Sequence, residues 1–298
     1  MTDVLIITVN YWAAEATSAF LRSVSHLLEF ERAHVMVVEN GSGDGSAERL
    51  RSLCAGSPNI ELLESPTNLG YFGGASWALQ QYLTKNSLPH WVIICNNDIL
   101  FDDCGFLSKL LQKGQGQAAV IAPAIVARLT GVDCNPFMRR RPNAAQLFRI
   151  RLWHSSYYLM WIKQSLSPYV RRIRHQLSTR FTFARQREPY RIYGPHGAML
   201  IFSRSYFEAG GYIDVGQFLF GEEICTAEIC VRLGLQIVHD PELRVFHDAH
   251  QATGRHLSRA MHEHARRAFH YALSKYFQVK EGSEDRARAE RRELRNGL

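Results

Sequence analysis

Short apolar runs alternate with helix-forming segments over the first 125 residues of the chain. Five runs have the length and composition of buried strands: VLIITVN, HVMVVEN, IELLES, WVIICNND and AAVIAP. Between them, helical patterns cover Ala14–Glu29, Ser46–Cys54, Gly74–Lys85 and Gly105–Lys113. Strands that alternate with helices in this way predict a parallel sheet with right-handed crossovers. The pattern therefore predicts an α/β fold.

This alternation stops near Ala127 and resumes after Arg191. The intervening segment is rich in Arg, Tyr, Trp and Pro, with an amphipathic basic stretch from Leu147 to Leu177. Beyond it, the pattern predicts a strand at HGAMLIFS, a helix over Glu222–Leu233, two strands at LQIVHDP and LRVFH, and a last helix over Arg255–Phe277. The final twenty residues are charged and poor in apolar residues, so we expect a solvated helix or a disordered tail.

Composition narrows the class of protein. The 298 residues are 46% hydrophobic and 21% charged, which is enough apolar material for a large core. The apolar runs are far shorter than the roughly 20 residues that a membrane-spanning helix needs. Asp3 precedes the first run without any basic residue, which predicts a first strand rather than a secretion signal. Six scattered cysteines without a C-x-x-C pair are expected to be reduced core residues, as in a cytoplasmic protein.

The net charge of +7 is concentrated in one segment. Between Arg139 and Arg191 there are thirteen basic residues and one acid, Glu188, so this segment carries +12 and the remainder −5. Arginines interleaved with Trp and Tyr are typical of surfaces that meet nucleic acid, lipid headgroups or a lipid diphosphate. A solvated basic face is the alternative.

Polar residues gather at the predicted strand ends, where open α/β sheets bind ligands. Glu39 and Asn40 begin the glycine-rich turn ENGSGDGS, and the next loop carries Asn68 and Gly70, where glycine lets backbone amides approach a phosphate. Neither loop has the glycine spacing of kinase-type or dinucleotide-type phosphate loops. Ordinary turn chemistry also explains these residues, so their role stays open at this point.

Two acidic motifs are candidates for chemistry. Asn96 and Asp98 are two positions apart, so on an extended chain their oxygens face one side and suit a hard cation; an Asx turn is the alternative. Glu222 and Glu223 fall in the first turn of a predicted helix, where the helix dipole favours the deprotonated carboxylate that a catalytic base requires. Ordinary capping of the helix is the alternative.

The order of these motifs resembles that of family 2 glycosyltransferases of the GT-A fold, especially bacterial rhamnosyltransferase-like enzymes of surface-polysaccharide assembly. The motifs are VNYW, VVENGSGDGS, TNLGYFGGAS, CNNDI, HGAMLIF and FGEEICTAEICVRLG…VFHDAH. The resemblance implies a nucleotide-diphosphosugar transferase fold with a mostly parallel central sheet, flanking helices and a C-terminal helical segment.

The resemblance also implies a nucleotide-sugar site at the strand ends. The residues that it places there are Thr8, Asn10, Tyr11, Glu39, Asn40, Ser42, Asn68, Gly70, Asn96 and Asn97. Asp98 is expected to bind Mn²⁺ or Mg²⁺, with His247 completing the metal site. His196 and His250 rank below His247 as ligands, and a structural histidine is the alternative for each.

The sequence departs from the family pattern at three motifs. Glu39 stands where an aspartate is usual, and Asn96 replaces the first acid of the D-x-D motif. Asp98 is then its only carboxylate, so the diphosphate is expected to supply most metal ligands. The family's E-D pair is Glu222-Glu223, with Glu223 in the position of the catalytic base.

The resemblance predicts the following organisation of the chain. A GT-A catalytic domain spans 1–250, with a nucleotide-binding half at 1–125, a basic variable or acceptor segment at 127–191 and an acceptor and catalytic half at 192–250. A C-terminal helix at 251–278 and a charged tail at 279–298 follow.

We therefore expect an inverting, metal-dependent glycosyltransferase of cell-surface polysaccharide synthesis, located in the cytoplasm at the inner face of the membrane. It would move a hexose or deoxyhexose from a UDP or dTDP carrier to a glycan or lipid-linked glycan, with residues 139–191 docking on the membrane surface. Because of Glu39 and Asn96, the first alternative is a non-catalytic relative that holds a sugar nucleotide or glycan in an assembly complex. A nucleic-acid-binding protein is less favoured, since it leaves the acidic loops without a role.

Overall fold

A computed structural model describes residues 2–114, 118–165, 188–248 and 258–277. Several sequence predictions lie outside these residues. They concern His250, the start of the C-terminal helix at 251–257, part of the basic segment at 166–187 and the charged tail at 279–298.

One mixed sheet of nine strands organises the described residues. The strands are β1 (Val4–Asn10), β2 (Ala33–Glu39), β3 (Ile60–Glu64), β4 (Trp91–Asn96), β5 (Ile99–Leu100), β6 (Val120–Ala127), β7 (Tyr190–Ile192), β8 (Met199–Ser203) and β9 (Ile237–His247). Their order is β3-β2-β1-β4-β8-β6-β9-β5, with β7 paired to β9. The first four strands in this order, β3, β2, β1 and β4, are parallel to one another, and β6 is parallel to β9. β8 lies between β4 and β6 and is antiparallel to both. The predicted mostly parallel sheet is confirmed.

Helices cover both faces of this sheet. In the described part of the chain they are α1 (Ala14–Ser25), α2 (Ser46–Cys54), α3 (Tyr71–Leu83), α4 (Phe106–Leu111), α5 (Ala144–His154), α6 (157–165), α7 (Arg204–Glu208), α8 (Glu222–Leu233) and α9 (Arg259–Ala272), which continues as a π-helical turn at Leu273–Phe277. The helices α2 and α8 have the predicted bounds. The C-terminal helix that was expected is present as α9.

The two strands predicted at LQIVHDP and LRVFH are a single strand, β9. Its pairing with β6 shifts register between Pro123 and Ala124, so residues 241–243 bulge out of the ladder. Pro241 has no amide proton to donate. The bulge accommodates this proline within one continuous strand. Pro241 therefore marks a bulge and not a boundary between two strands.

Alternate residues of the central strands enter two separate hydrophobic cores. Leu5 and Ile7 of β1 face the core formed with α3, α8 and α9, whereas Val4 and Ile6 face the core formed with α1, α2 and α4. All four side chains are fully buried. Burial on both faces explains the continuous apolar runs in the sequence.

The cysteines only partly fit the expected core positions. Four are buried, whereas Cys104 is exposed and Cys134 is partly exposed, so the expectation is wrong for these two. Both lie in connections between elements rather than on a core-facing strand or helix. Across the described ranges, no helix has the length and apolar character needed to cross a membrane.

Asp214 joins the C-terminal helix to the segment that leads into α8. Its buried carboxylate accepts hydrogen bonds from Tyr271 Oη at 2.7 Å, Lys275 Nζ at 3.0 Å and Tyr276 Oη. Burial alone raises the pKa of Asp214, but these donors outweigh it and the net shift is downward. The contacts fix the chain at Asp214, eight residues before Glu222.

A close backbone contact explains Gly70, which precedes α3 with a φ of +76°. A Cβ atom at Gly70 would lie 2.2 Å from the carbonyl oxygen of Phe218, to which the amide of Tyr71 donates at 3.1 Å. The absence of a side chain at Gly70 therefore makes room for the backbone of Phe218. The expectation that the missing side chain makes room for a phosphate is wrong at this position.

We expect Asp214→Asn to lower the free energy of unfolding by about 1–3 kcal/mol, because the charge-assisted hydrogen bonds are lost. Because the pKa of Asp214 is lower in the folded than in the unfolded protein, its carboxylate stabilises the fold at pH values above the unfolded-state pKa, near 3.9. This stabilisation is lost as the pH falls through the folded-state pKa. The difference in the free energy of unfolding between wild type and Asp214→Asn, measured by denaturant unfolding, should therefore shrink below about pH 4. The exposed control Glu31→Gln should stay within about 0.5 kcal/mol of wild type; an equal loss in both would contradict this role.

Gly70→Ala should destabilise the protein by about 2–4 kcal/mol, because the methyl group meets a carbonyl oxygen and the left-handed backbone is strained. Gly73→Ala, three residues later in α3, is the matched control, since its Cβ would lie 3.4 Å from Leu69 Cβ. A helical Gly→Ala change should be neutral or stabilise by up to about 1 kcal/mol. Equal midpoints of urea unfolding for the two variants would refute the contact.

Candidate active site

The strand ends bring the predicted residues to one edge of the sheet. In the parallel register, Asn10 lies opposite Glu39, and Val9 lies opposite Asn96. Tyr11, Asn40 and Asp98 follow directly after these strands. The structure thus places the three motifs side by side, at the carboxyl edge where such sheets bind ligands.

Glu39 organises the loop after β2 from within. Its Oε1 accepts a hydrogen bond from the Ser42 amide at 2.9 Å, and its Oε2 accepts one from the Gly41 amide at 3.1 Å. Ser42 in turn accepts from Trp12, through its Oγ at 3.1 Å and its carbonyl oxygen at 2.5 Å. Glu39 and Ser42 are buried, so both hold the loop in shape below the surface.

Trp12 and Tyr11 form an exposed aromatic surface above this loop. Their rings stack with centroids 4.5 Å apart. Trp12 is 64% exposed. Its backbone has a left-handed φ of 55°, and its two hydrogen bonds to Ser42 hold this conformation. A base or sugar ring can stack on such a surface.

Asn40 and Asn68 connect two neighbouring loops. Asn40 Nδ2 donates to Asn68 Oδ1 at 2.9 Å and to the Gly70 carbonyl at 3.1 Å, while its Oδ1 accepts from the Leu69 amide at 2.9 Å. Asn68 Oδ1 also accepts from the Gly70 amide. Asn40 is 1% exposed, so its amide holds the two loops together rather than reaching into solvent.

Thr8, Asn10 and Asn97 lie deeper in the structure. Thr8 and Asn10 are fully buried. Asn97 Nδ2 donates to Thr17 Oγ1 at 2.9 Å, and Thr17 Oγ1 donates to Asn10 Oδ1 at 2.8 Å. This network fixes the turn after β4 against α1. Asn10 and Asn97 therefore support the site from below.

Asp98 and His247 face each other across β5 and the end of β9. Asp98 Oδ1 and His247 Nε2 are 3.2 Å apart, both side chains are buried, and neither atom has a hydrogen bond of good geometry to the described residues. β4 ends at Asn96 and residues 97–98 form a turn. The argument that Asn96 and Asp98 share one face of an extended chain is therefore wrong, although both stay at the same strand end.

The charge states of the two neighbouring histidines differ. Burial lowers the pKa of His247, but the Asp98 carboxylate and Cys134 outweigh it and raise the value to about 9. Burial and the nearby His247 lower the pKa of His196 to about 4. The two rings are 5.9 Å apart, and His196 Nδ1 accepts from the Ala198 amide at 3.2 Å. His196 is thus neutral and fixed in orientation.

The Asp98 and His247 pair fits part of a divalent metal site. Two adjacent ligands of an octahedral ion at about 2.0–2.1 Å are about 3 Å apart, close to the observed 3.2 Å. The two atoms without hydrogen bonds are also the two that would bind an ion. Within the described ranges, no three His, Cys, Asp or Glu side chains form a metal site by themselves. A bound diphosphate would have to supply the other ligands.

Glu222 and Glu223 begin α8 and converge on Gly197. A Cβ atom at Gly197 would lie 3.0 Å from Glu223 Oε1 and 3.6 Å from Glu222 Oε2. The Gly197 amide donates to Glu223 Oε1 at 3.3 Å, and Tyr71 Oη donates to the Gly197 carbonyl at 3.2 Å. Glu222 is buried, whereas Glu223 is half-buried. Glu223 is therefore the more accessible carboxylate.

Burial dominates the protonation of this pair. It raises the pKa of Glu222 to about 8, with the Glu223 charge as the second cause, and it also raises the pKa of Glu223. The expectation that the helix dipole keeps both carboxylates deprotonated is wrong, because the cost of a second buried charge outweighs the dipole. Burial therefore favours the protonated form of Glu222, the more deeply buried of the two.

Three residues of the site were missed in the sequence: Trp12, Tyr71 and Gly197. Gly197 lies in the segment His196–Ala198, which contacts Glu223 and His247. Its first residue packs on His247, Gly197 meets Glu223, and the Ala198 carbonyl accepts from the Asn96 amide at 2.9 Å. The glycine of HGAMLIF was the available signal, since a glycine before a buried strand marks a close approach.

Comparison with known protein families gives one match. The model of the family "Glycosyl transferase family 2" matches residues 3–211, which is most of the chain. The acidic pair and His247 lie beyond the matched residues. No curated protein is a significant match to the sequence.

Several solved structures share the fold. The mannosyltransferase PcManGT from Pyrobaculum calidifontis, in complex with GDP-Man and Mn²⁺, is 15% identical with a TM-score of 0.52, over 84% of this chain and 58% of its own. GalNAc-T7 with UDP, GalNAc and Mn²⁺ is 15% identical with a TM-score of 0.51, over 82% and 42%. Residues 1–349 of S. aureus TarS are 12% identical with a TM-score of 0.53, over 96% and 77%.

This chain thus spans only about half the length of the first two structures. At such low identities the three show the fold alone, and they confirm the GT-A fold expected from the motifs. With a family match over most of its length, the chain belongs to the glycosyl transferase family 2.

Proposed function

We propose that this protein transfers a sugar from a nucleoside diphosphate to a hydroxyl group of an acceptor. The observation that carries the proposal is the segment His196–Ala198, which joins a pair of carboxyl groups to the Asp98 and His247 pair. Tyr71 lies within electrostatic range of Asp98, Glu222 and Glu223. One group that accepts a proton and one that holds a cation thus lie at a single strand edge, as such a transfer requires.

Glu223 is the proposed catalytic base. It is the more accessible of the two carboxylates, and the Gly197 amide orients its Oε1. In the transfer, the acceptor oxygen forms a bond to the anomeric carbon, the bond from that carbon to the diphosphate oxygen breaks, and Glu223 takes the acceptor proton. A single displacement of this kind inverts the anomeric centre. Glu222 retains the proton of the pair.

Asp98 and His247 are the proposed protein ligands of Mn²⁺ or Mg²⁺, completed by the donor diphosphate. The ion would offset the negative charge that builds on the departing diphosphate. Support comes from their separation of 3.2 Å and from their two atoms without hydrogen bonds. Asn96 ends β4, two residues before Asp98. A neutral Asn96 leaves more of the ion's charge for the diphosphate.

Tyr11 and Trp12 are the proposed surface for the base of the donor, which we take to be UDP or dTDP. Glu39, Asn40, Ser42 and Asn68 shape this surface through their loop contacts. The mannosyltransferase with GDP-Man and the transferase with UDP show that the fold accommodates more than one nucleotide. A deoxyhexose such as rhamnose stays part of the proposal, on the motif resemblance alone.

For the acceptor we propose a glycan or lipid-linked glycan at the cytoplasmic face of a membrane, in cell-surface polysaccharide synthesis. The support is an exposed apolar and basic surface on α5 and α6. Its apolar side chains are 42–70% exposed: Phe148, Leu152, Tyr158, Trp161 and Ile162. Arg149 and Arg151 lie on the same helix, α5. This composition is typical of helices that rest on anionic lipid surfaces.

We expect Glu223→Gln to reduce the transfer rate by about 10²–10⁴-fold, because the proton acceptor is lost. Nucleotide binding, measured by calorimetry, should stay unchanged. In Glu222→Gln a neutral amide replaces a carboxyl group whose pKa is already raised to about 8, so the acidic limb of the rate profile, which reports Glu223, should stay in place. Full activity of Glu223→Gln, or an acidic limb that shifts in Glu222→Gln, would contradict these assignments.

Asp98→Asn should weaken the binding of Mn²⁺ together with UDP by at least tenfold, because it removes the proposed carboxylate ligand. His247→Ala should weaken it too, whereas His196→Ala should leave the metal affinity nearly unchanged. Calorimetric titration of the metal in the presence of UDP measures both. If wild type binds UDP but shows no metal-dependent transfer or hydrolysis of any donor, the non-catalytic alternative replaces the enzyme.

A further inference from the structure

A second cavity lies on the flank of the sheet, between β7, the start of β9 and the second half of α8. Its volume is about 400 Å³, within the usual range for ligand sites. Four arginines line it: Arg139, Arg140, Arg141 and Arg191. The lining has no acidic side chain within the described ranges. The cavity therefore has a strongly positive rim.

The floor of this cavity is apolar. It is formed by Ile192, Ala227, Cys230, Val231, Leu235 and Ile237. Ala227 and Cys230 are each 1% exposed, and Ile192 and Ile237 are also buried. A free inorganic anion has no apolar surface to bury against this floor. An anion that carries a hydrocarbon chain buries apolar surface there and gains free energy.

Part of the rim is held in place by the protein. Arg141 makes a bidentate ion pair with Glu228, at 2.7 Å for both contacts, and Tyr193 Oη donates to Glu228 Oε1 at 2.7 Å. Arg139 lies 5.6 Å from the ring centroid of Tyr190. These contacts neutralise one guanidinium and orient another.

Two arginines stay available. Arg140 and Arg191 are exposed, and neither has a hydrogen bond or ion pair to the described residues. Guanidinium groups match phosphate oxygens with paired hydrogen bonds. Three guanidiniums without a carboxylate partner fit the charge of a phosphate or diphosphate better than that of a single carboxylate.

This cavity is separate from the strand-end site. Ile237 pairs with Val120 of β6 and His247 pairs with Ala127, seven residues further along, so the two ends of β9 lie about 23 Å apart at 3.3 Å per residue. The cavity contacts Ala227–Val231 of α8, beyond the first turn that carries Glu222 and Glu223. A ligand here does not overlap the Asp98 and His247 pair.

We infer that this cavity binds the phosphate headgroup of an amphiphile, with the phosphate on the arginine rim and the first part of the apolar chain on the floor. The site is a contact for a lipid phosphate apart from the site of transfer. It does not depend on the proposed transfer reaction, because its ligand chemistry follows from its own lining.

Calorimetric titration of the full chain with octyl phosphate, inorganic phosphate and octanol tests the inference. We expect saturable binding of octyl phosphate, at least tenfold tighter than that of inorganic phosphate, and none of octanol. The double variant Arg140→Gln/Arg191→Gln should weaken octyl phosphate at least tenfold. It leaves the Arg141 and Glu228 pair intact, and its circular dichroism should match that of wild type.

The matched control is Arg22→Gln/Lys85→Gln, which removes two exposed positive charges elsewhere and should stay within twofold of wild type. Glu223→Gln should also stay within twofold, since it alters only the strand-end site. Equal weakening by both double variants would mean non-specific attraction and would overturn the inference. Equal affinity for octyl phosphate and inorganic phosphate would overturn the inference that the ligand is an amphiphile. It would indicate a site for free phosphate instead.

Discussion

The structure depends on a central sheet that is buried on both faces. Because β1, β2 and β4 lie between two hydrophobic cores, no charged side chain has room along their length. Polar groups are confined to the strand ends, where they bond to one another across loops. Glu39 with the amides of its own loop and Asn40 with Asn68 show this arrangement. The same burial gives the strand ends a low effective dielectric.

That low dielectric decides how the acidic residues behave. Two adjacent carboxyl groups at Gly197 cannot both ionise at low cost, so burial raises the pKa of both. Asp98 instead lies 3.2 Å from the imidazole of His247. The segment His196–Ala198 brings the two groups together, although it contributes no charge. A neutral backbone segment therefore sets the relative positions of the charged groups.

Much of the fold and the location of the site could be predicted from the sequence, because apolar periodicity and strand ends are local properties. The bounds of α2 and α8 and the positions of Glu39, Asn40 and Asp98 follow from them. The contacts of Gly70 with Phe218, and of Gly197 with Glu223, join segments far apart in sequence, so the glycines alone could not identify the partners. The burial of Glu222 likewise depends on tertiary packing. A helical first turn exposed to water would have kept it charged.

The contacts of Asp214 have a consequence for the order in which the protein is completed during synthesis. The strands β1–β4 can pair with one another early, but β9 joins β6 only after more than one hundred further residues have been made. The hydroxyl groups that fix the backbone before Glu222 come later still, from Tyr271 and Tyr276. A partly synthesised chain thus has a formed sheet edge without an ordered pair of acids. The ordering of the segment before Glu222 therefore waits for the C-terminal helix.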